Sequence, residues 1–181
     1  SAKEADDLNK EFGGAQATAE AVGSALVASF TATKLRWIAD HEPENAKKIA
    51  AGCLPHDFLS WSLTGSNKMS DLFTDRSDAS GTGYFDSRAN QYRNDFLKIA
   101  LRGHEVKVPK VLKTNEIGGE FRGIPIAPGA GDNAGAALGV GAKPGDVVVS
   151  LGTSGTAFAV SETSTHDPSG SVAGFADATR S

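Results

Sequence analysis

One run of small residues limits what this chain can fold into more than any other feature. It reads Gly-Ala-Gly-Asp-Asn-Ala-Gly-Ala-Ala-Leu-Gly over residues 129–139 and follows the apolar stretch at 123–128. Isoleucines beside glycine and proline predict a short buried strand over 123–129. An aspartate set in a glycine turn predicts the N-cap of a helix, and the small residues after it allow that helix to pack closely. The run therefore predicts a strand, a turn and a helix, with Asp132 at the bend.

A second glycine-bounded turn follows twenty residues later. Residues 146–151 and 156–161 are rich in apolar and β-branched side chains, a pattern that predicts the two strands of a hairpin. Successive backbone N–H groups and hydroxyls in such a turn can cradle phosphate oxygens. The lysine of a P-loop is missing, so a hairpin without a phosphate stays an open alternative. The turn residues are Gly152, Thr153, Ser154 and Gly155.

The first 101 residues instead predict helices, because their apolar residues recur at helical spacing between proline and glycine. Leu35 and Ile38 mark a buried helix within 29–42, and the chain's alanine-rich start predicts a peripheral helix within 1–22. Further helices are expected from Pro43 to Gly52, over 57–65 and over 91–101, with a polar loop at 70–86.

Composition excludes several classes of protein. The chain has 181 residues, 39% of them apolar, which is enough for a core of about one domain. Eighteen basic against 22 acidic residues give a net charge of −4, so nucleic acid is not an expected partner. Cys53 is the single cysteine, which predicts a reducing cytoplasm, and no apolar run is long enough to span a membrane. A serine start and a lone methionine, Met69, predict a piece of a longer protein.

Among the polar residues, Asp132 is the strongest candidate for chemistry, since a carboxylate at a glycine turn can accept a proton. An ordinary N-cap role is the equal alternative. The histidines lack a helical pairing or an adjacent acidic partner, and Asp71, Asp75 and Asp78 lie in a turn-rich loop, so neither group is assigned a role. No metal ligand is predicted. The four histidines are His41, His56, His104 and His166.

Several segments together resemble the FGGY carbohydrate kinases. Residues 29–41, with a lysine, an apolar residue and a tryptophan after a serine and threonines, resemble the family's first signature. Residues 74–86 resemble the segment after its Leu-Thr-Gly turn. The glycine run at 129–139 resembles the catalytic elbow, and 150–156 the second phosphate motif. The resemblance begins near Gly23 and covers nearly all of the remaining chain.

This resemblance implies an α/β fold of the actin-like, ribonuclease-H-like type, present in part. Residues 1–143 would be the later part of the N-terminal domain, including the catalytic elbow and a hinge helix, and 144–181 the start of the C-terminal domain with its phosphate-binding hairpin. The family's opening phosphate loop and its adenosine-binding region have no counterpart in the sequence. We therefore expect no turnover from this chain alone.

The resemblance also implies a reaction and a set of partners. ATP and Mg²⁺ would serve a sugar kinase in which Asp132 is the general base, Asn133 contacts the sugar and residues 152–155 contact the ATP phosphates. The sugar expected is D-xylulose; another sugar or polyol (gluconate, ribulose or glycerol) and a non-catalytic binding homologue are the alternatives. Sugar and ATP are the expected partners, without nucleic acid or membrane. The resemblance also allows a homodimer of the full-length protein in the cytoplasm.

Overall fold

The computed structural model describes residues 2–179, in which helices dominate the first hundred residues and short strands the rest. Its helices are α1 (Ala2–Glu11), α2 (Ala15–Val22), α3 (Thr31–His41), α4 (Pro43–Ala46), α5 (Pro55–Leu63), α6 (Arg76–Ala79), α7 (Asn94–Ala100) and α8 (Asp132–Gly139), with 3₁₀ turns at Met69–Asp71 and Ser80–Thr82. Its strands are β1 (Phe73–Thr74), β2 (Phe85–Asp86), β3 (Gln91–Tyr92), β4 (Lys110–Val111), β5 (Gly119–Phe121), β6 (Ile124–Ile126), β7 (Val147–Leu151) and β8 (Gly155–Ala159).

The main core lies between α1, α2, α3 and α7. Leu8 of α1 is fully buried there, and the ring of Phe12 stacks on that of Phe96 with centroids 3.8 Å apart. The expectation of one peripheral helix in residues 1–22 is therefore wrong, since this segment forms two helices that bury one face each. Apolar burial of this kind is the main source of stability for the fold.

A fully buried arginine ties these helices together. The Arg36 guanidinium pairs with Glu11 of the first helix and with Asp40, 3.1 Å away, and donates to the carbonyl oxygen of Ile99 at 2.8 Å. Its charge is thus compensated and its N–H groups are bonded, which a buried cation requires.

Within residues 2–179, the strands form four separate pairs rather than one large sheet. β1 and β4 pair in parallel, with Phe73 opposite Lys110, and the other three pairs are antiparallel hairpins. The strand predicted near residue 124 exists, but it is not buried, because Ile124 keeps 65% of its surface exposed. Each hairpin joins residues near in sequence through a short loop.

Three predicted helices differ in their limits, and the one expected over 57–65 runs from Pro55 to Leu63. The helix expected from Pro43 to Gly52 ends at Ala46, and residues 47 and 48 form a turn after it. The helix expected over 91–101 begins only at Asn94, because residues 91 and 92 pair with β2. Backbone pairing across that hairpin replaces the first helical turn.

The chain after the last hairpin returns to the first part of the molecule. The main-chain N–H of Gly174 donates to Ser24 Oγ at 2.7 Å, and that of Ala176 donates to Ser80 Oγ at 3.0 Å. Ala176 is buried there. The predicted boundary between two domains at residues 143 and 144 stays a prediction, and these two hydrogen bonds join residues on either side of it.

No helix in residues 2–179 combines the length and the apolar character that crossing a bilayer requires.

Candidate functional site

Asp132 is the first residue of α8, directly after a glycine turn. The N-cap is Gly131, so the prediction that Asp132 itself caps the helix is wrong by one residue. Gly131 holds an extended backbone, and its carbonyl oxygen accepts the first helical bond from Gly135 at 2.8 Å. The Asp132 side chain is exposed, and its Oδ1 accepts from the N–H of Asn133 at 2.7 Å. A solvent-facing carboxylate therefore stands at the start of this helix, beside the half-buried Asn133.

The turn before Asp132 rests on a second, buried turn that contains Asp75, Ser77 and Asp78. Asp75 is the N-cap of α6, and its Oδ1 accepts from the N–H groups of Ser77 at 2.8 Å and Asp78 at 3.0 Å. The Ser77 hydroxyl donates to the same oxygen and accepts from the N–H of Gly131 at 2.9 Å. A short polar segment far away in sequence thus holds the approach to Asp132.

His56 lies against this segment at the start of α5. Its Nε2 is 2.9 Å from Asp57 Oδ1, 3.5 Å from Asp78 Oδ2 and 3.8 Å from Asp75 Oδ2. The facing Asp57 carboxylate, and then those of Asp78 and Asp75, raise the pKa of His56 against the opposing effect of burial. Burial and the adjacent Asp75 carboxyl raise the pKa of Asp78 from 3.8 to about 6. One imidazole thus stands among three carboxyl groups.

This polar cluster corrects two expectations. The statement that the histidines lack an acidic partner is wrong for His56, and also for His41, whose Nε2 lies 3.4 Å from Glu4. Asp75 and Asp78 do more than bond within a loop, because their carboxyls face the same imidazole. The other two histidines contact main-chain oxygens: His104 contacts that of Ile49, and His166 contacts that of Ala19.

The cluster offers three metal-ligating atoms within 4.8 Å of one another, from His56, Asp75 and Asp78. Asp75 Oδ2 is buried and accepts no hydrogen bond from the described residues. However, the imidazole nitrogen that would bind a metal is also the one closest to the buried Asp57. The Asp57 carboxylate and the raised pKa of His56 favour a proton on that nitrogen.

Sequence inspection missed Ser77 and the His56 cluster for a simple reason. His56 and Asp78 are 22 positions apart, and Ser77 meets a residue 54 positions away, so no local spacing joins them, although Asp57 follows His56 directly and could have indicated that pair. Aspartate is, however, a frequent helix N-cap, whose side chain accepts from the backbone of the second and third residues after it. That pattern could have placed the Asp75 carboxyl beside the backbone of residues 77 and 78.

The predicted phosphate turn lies at the tip of the β7–β8 hairpin, and residues 152–155 are all exposed. The N–H of Gly152 donates to the carbonyl oxygen of Ser154 at 3.1 Å, which closes the turn. No hydrogen bond among residues 2–179 joins this turn to Asp132 or Asn133. The hairpin prediction is correct, and a phosphate role for its tip stays a prediction.

Comparison with known proteins decides the family. Residues 1–139 match the model of the FGGY family of carbohydrate kinases, N-terminal domain. The chain belongs to the FGGY family. Its fold is accordingly that of the FGGY sugar kinases, an α/β fold of the actin-like type present in part, as expected.

Individual FGGY relatives extend the match. The chain is 47% identical to the xylulose kinase of Streptomyces coelicolor and 44% identical to that of Streptomyces rubiginosus, in each case over 98% of this chain and 38% of the relative. Its structure matches the crystal structure of xylulose kinase from Bifidobacterium adolescentis with a TM-score of 0.87 at 41% identity, over 98% of this chain and 44% of that one. This FGGY chain therefore spans less than half the length of the relatives it matches.

Proposed function

We propose that the full-length protein carrying these residues transfers a phosphoryl group from ATP to D-xylulose, giving D-xylulose 5-phosphate and ADP. The similarity to xylulose kinases over 98% of the chain supports this substrate. The structural observation that carries the proposal is the position of Asp132. Its exposed carboxylate begins α8 at the end of a turn that Ser77 holds, and Asn133 lies beside it.

Asp132 would act as the general base. Its Oδ1 already accepts from the N–H of Asn133, and its Oδ2 has no hydrogen-bond partner among residues 2–179. That oxygen can accept the proton of the sugar's terminal hydroxyl while the hydroxyl oxygen bonds to the γ-phosphorus and the bond to the ADP oxygen breaks. Such transfer depends mainly on positioning, so a weak base in the right place suffices.

The Asn133 amide would bind a sugar hydroxyl, and the exposed turn at 152–155 would donate N–H and hydroxyl groups to the ATP phosphates. The open turn, with hydroxyls at Thr153 and Ser154, suits a phosphate chemically. Mg²⁺ would neutralise phosphate charge, and we assign it no ligand within residues 2–179. We further propose a cytoplasmic location, which the single cysteine supports.

An ADP-release assay of the full-length protein against a panel of ketoses and polyols tests the substrate. We expect D-xylulose to give the highest kcat/KM, ahead of ribulose, gluconate and glycerol. Preference for another member of the panel would replace the substrate and keep the reaction. Absence of turnover with every sugar, together with retained ATP binding, would indicate a binding protein and refute the proposal.

Replacement of the base tests the mechanism. Asp132→Ala should lower kcat by at least about a thousandfold while the Kd for ATP changes little, because only the proton acceptor is lost. Asp71→Asn is the matched control, since Asp71 is an exposed aspartate whose carboxylate bonds, among residues 2–179, to the hydroxyls of Ser66 and Ser70. Retained turnover in Asp132→Ala would reject the assignment of the base.

A further inference from the structure

We propose that Ser77 is a positioning residue for Asp132, acting through the hydrogen bond from the Gly131 N–H to the Ser77 hydroxyl. The inference rests on the proposed role of Asp132 as general base and adds a residue that fixes where this base stands. Ser77 itself would touch neither sugar nor ATP.

The direction of the Ser77 hydroxyl is fixed on both sides. A serine hydroxyl has one proton to donate and two lone pairs that accept. Its proton goes to Asp75 Oδ1, and a lone pair accepts from the N–H of Gly131 at 2.9 Å. Because the Asp75 carboxyl also caps α6 through two N–H groups, the hydroxyl cannot rotate away without breaking this set.

The turn before Asp132 fits closely over these side chains. A Cβ on Gly131 would lie 3.2 Å from Asp78 Oδ1 and 3.6 Å from Ser77 Oγ, so the backbone approaches the polar segment more closely than most residues allow. Gly129 has a φ of +92°, a conformation that favours glycine, and carries the chain across the Asp75 carboxyl. The turn is thereby seated on the segment that contains Ser77.

The two partners of this bond differ in how firmly they are held. Ser77 and its neighbours Ala79, Ser80 and Thr82 are all buried. The α8 helix, by contrast, buries none of its residues. Because none of its residues is fully buried, packing holds α8 less firmly than the segment around Ser77, and the hydrogen bond at Gly131 is one contact that fixes the start of the helix, where Asp132 lies.

Loss of the Ser77 hydroxyl tests the proposal in the full-length protein. Ser77→Ala should lower kcat for D-xylulose at least about tenfold, because a displacement of about 1 Å at a reacting group can cost a hundredfold. The KM for ATP should stay within about twofold, since the loss acts on the base alone. Thr82→Val is the control, because Thr82 is a buried residue of the same segment whose hydroxyl bonds only to the main chain of residues 79 and 84. An unchanged kcat in Ser77→Ala would overturn the proposal.

A second pair of variants removes the same bond from the side of Gly131, which is half-buried. Gly131 has a φ of −60°, which both alanine and proline adopt. Gly131→Ala keeps the N–H and sets a Cβ 3.2 Å from Asp78 Oδ1, whereas Gly131→Pro has a similar Cβ but removes the N–H and places a ring carbon toward Ser77 Oγ. We expect kcat of Gly131→Pro to lie at least about fivefold below that of Gly131→Ala, because only alanine can still donate to Ser77. Equal kcat values in the two variants would contradict the proposal.

Amide hydrogen exchange of Gly131 in this chain separates the positioning claim from the proposed function. Ser77→Ala should speed exchange at Gly131 about fivefold, and Thr82→Val should not, because only the first loses the acceptor. Faster exchange in Ser77→Ala, with no kinase activity in the full-length wild type, would refute the proposed function while the anchoring stands. Unchanged exchange in a protein that is an active kinase would refute the anchoring alone.

Discussion

Replacing Asp78 by asparagine should change how the stability of this chain depends on pH. The carboxyl of Asp78 faces His56 at 3.5 Å and lies beside the buried Asp75. Burial and the Asp75 carboxyl raise the pKa of Asp78 from 3.8 to about 6, so the folded chain binds this proton more tightly than the unfolded chain. The stability that Asp78 contributes is present below pH 3.8 and is lost as the pH rises through about 6. Asparagine has no such proton and should abolish this dependence.

The size of the effect follows from the two pKa values. A rise from 3.8 to about 6 corresponds to about 3 kcal/mol if it acts in full. The side chain keeps 28% of its surface exposed, and water screens its charge, so we expect about 1–2 kcal/mol. Between pH 4 and pH 6.5, the free energy of unfolding of the wild type should fall by this amount relative to Asp78→Asn.

Urea unfolding of both chains at several pH values in this window measures the difference directly. Contributions from carboxyls outside the cluster cancel, because both chains share them, whereas any change in the titration of His56 and Asp75 is part of the measured difference. Asp71→Asn serves as the control of opposite sign, since hydrogen bonds from Ser66 and Ser70 lower the pKa of Asp71. Its wild-type contribution is present above pH 3.8 and is lost as the pH falls. A constant difference between wild type and Asp78→Asn would refute the account of the cluster.

Three further changes test the packing. Arg36→Ala should lower the free energy of unfolding by about 1.5–3 kcal/mol, because it removes a fully buried side chain and its hydrogen bonds, while Arg102 still pairs with Glu11 and Asp40; an unchanged midpoint in urea unfolding would contradict this. Gly83→Ala should lower the free energy of unfolding by about 2–4 kcal/mol, since Gly83 has a φ of +82° and the new Cβ would lie 2.6 Å from a Leu26 methyl. Gly65→Ala, at a φ of +71° in open space, should lower it by only about 1 kcal/mol. Equal costs in the two variants would argue against the contact with Leu26. Leu151→Lys should change the free energy of unfolding by less than about 0.5 kcal/mol, because this side chain is 85% exposed; a loss well above about 1 kcal/mol would contradict this.

Local signals predicted much of this fold. The helix from Thr31, the helix after Leu54, the glycine elbow and the last hairpin each depend on residues near in sequence, and all are present. Predictions of which side chains are buried were less accurate than predictions of helices and strands. The prediction that Leu35 is buried is correct, but Phe58 and Ile124 are exposed despite apolar runs around them. Periodicity shows which face is apolar and does not show what covers it.

Pairings between distant residues could not be predicted in the same way. The parallel pairing of β1 with β4 and the stacking of Phe12 on Phe96 join positions more than 30 residues apart. The candidate site shows the same difference between local and distant contacts. Asp132 and Asn133 stood out by their glycines, whereas Ser77 gained its place only when the chain folded back on itself. Tertiary contacts, not local preferences, decide such positions.

The buried segment at residues 75–80 holds two distant parts of the chain by their main-chain amides. Ser77 accepts from the amide of Gly131 and Ser80 from that of Ala176, at sequence separations of 54 and 96. Every residue except proline has a backbone N–H, so the side chains at 131 and 176 can change without loss of these two hydrogen bonds wherever there is space for them. The two serines have no such freedom. Substitution should therefore be limited for different reasons at the two ends of these bonds, by the need for a hydroxyl at 77 and 80 and by the small space at 131 and 176.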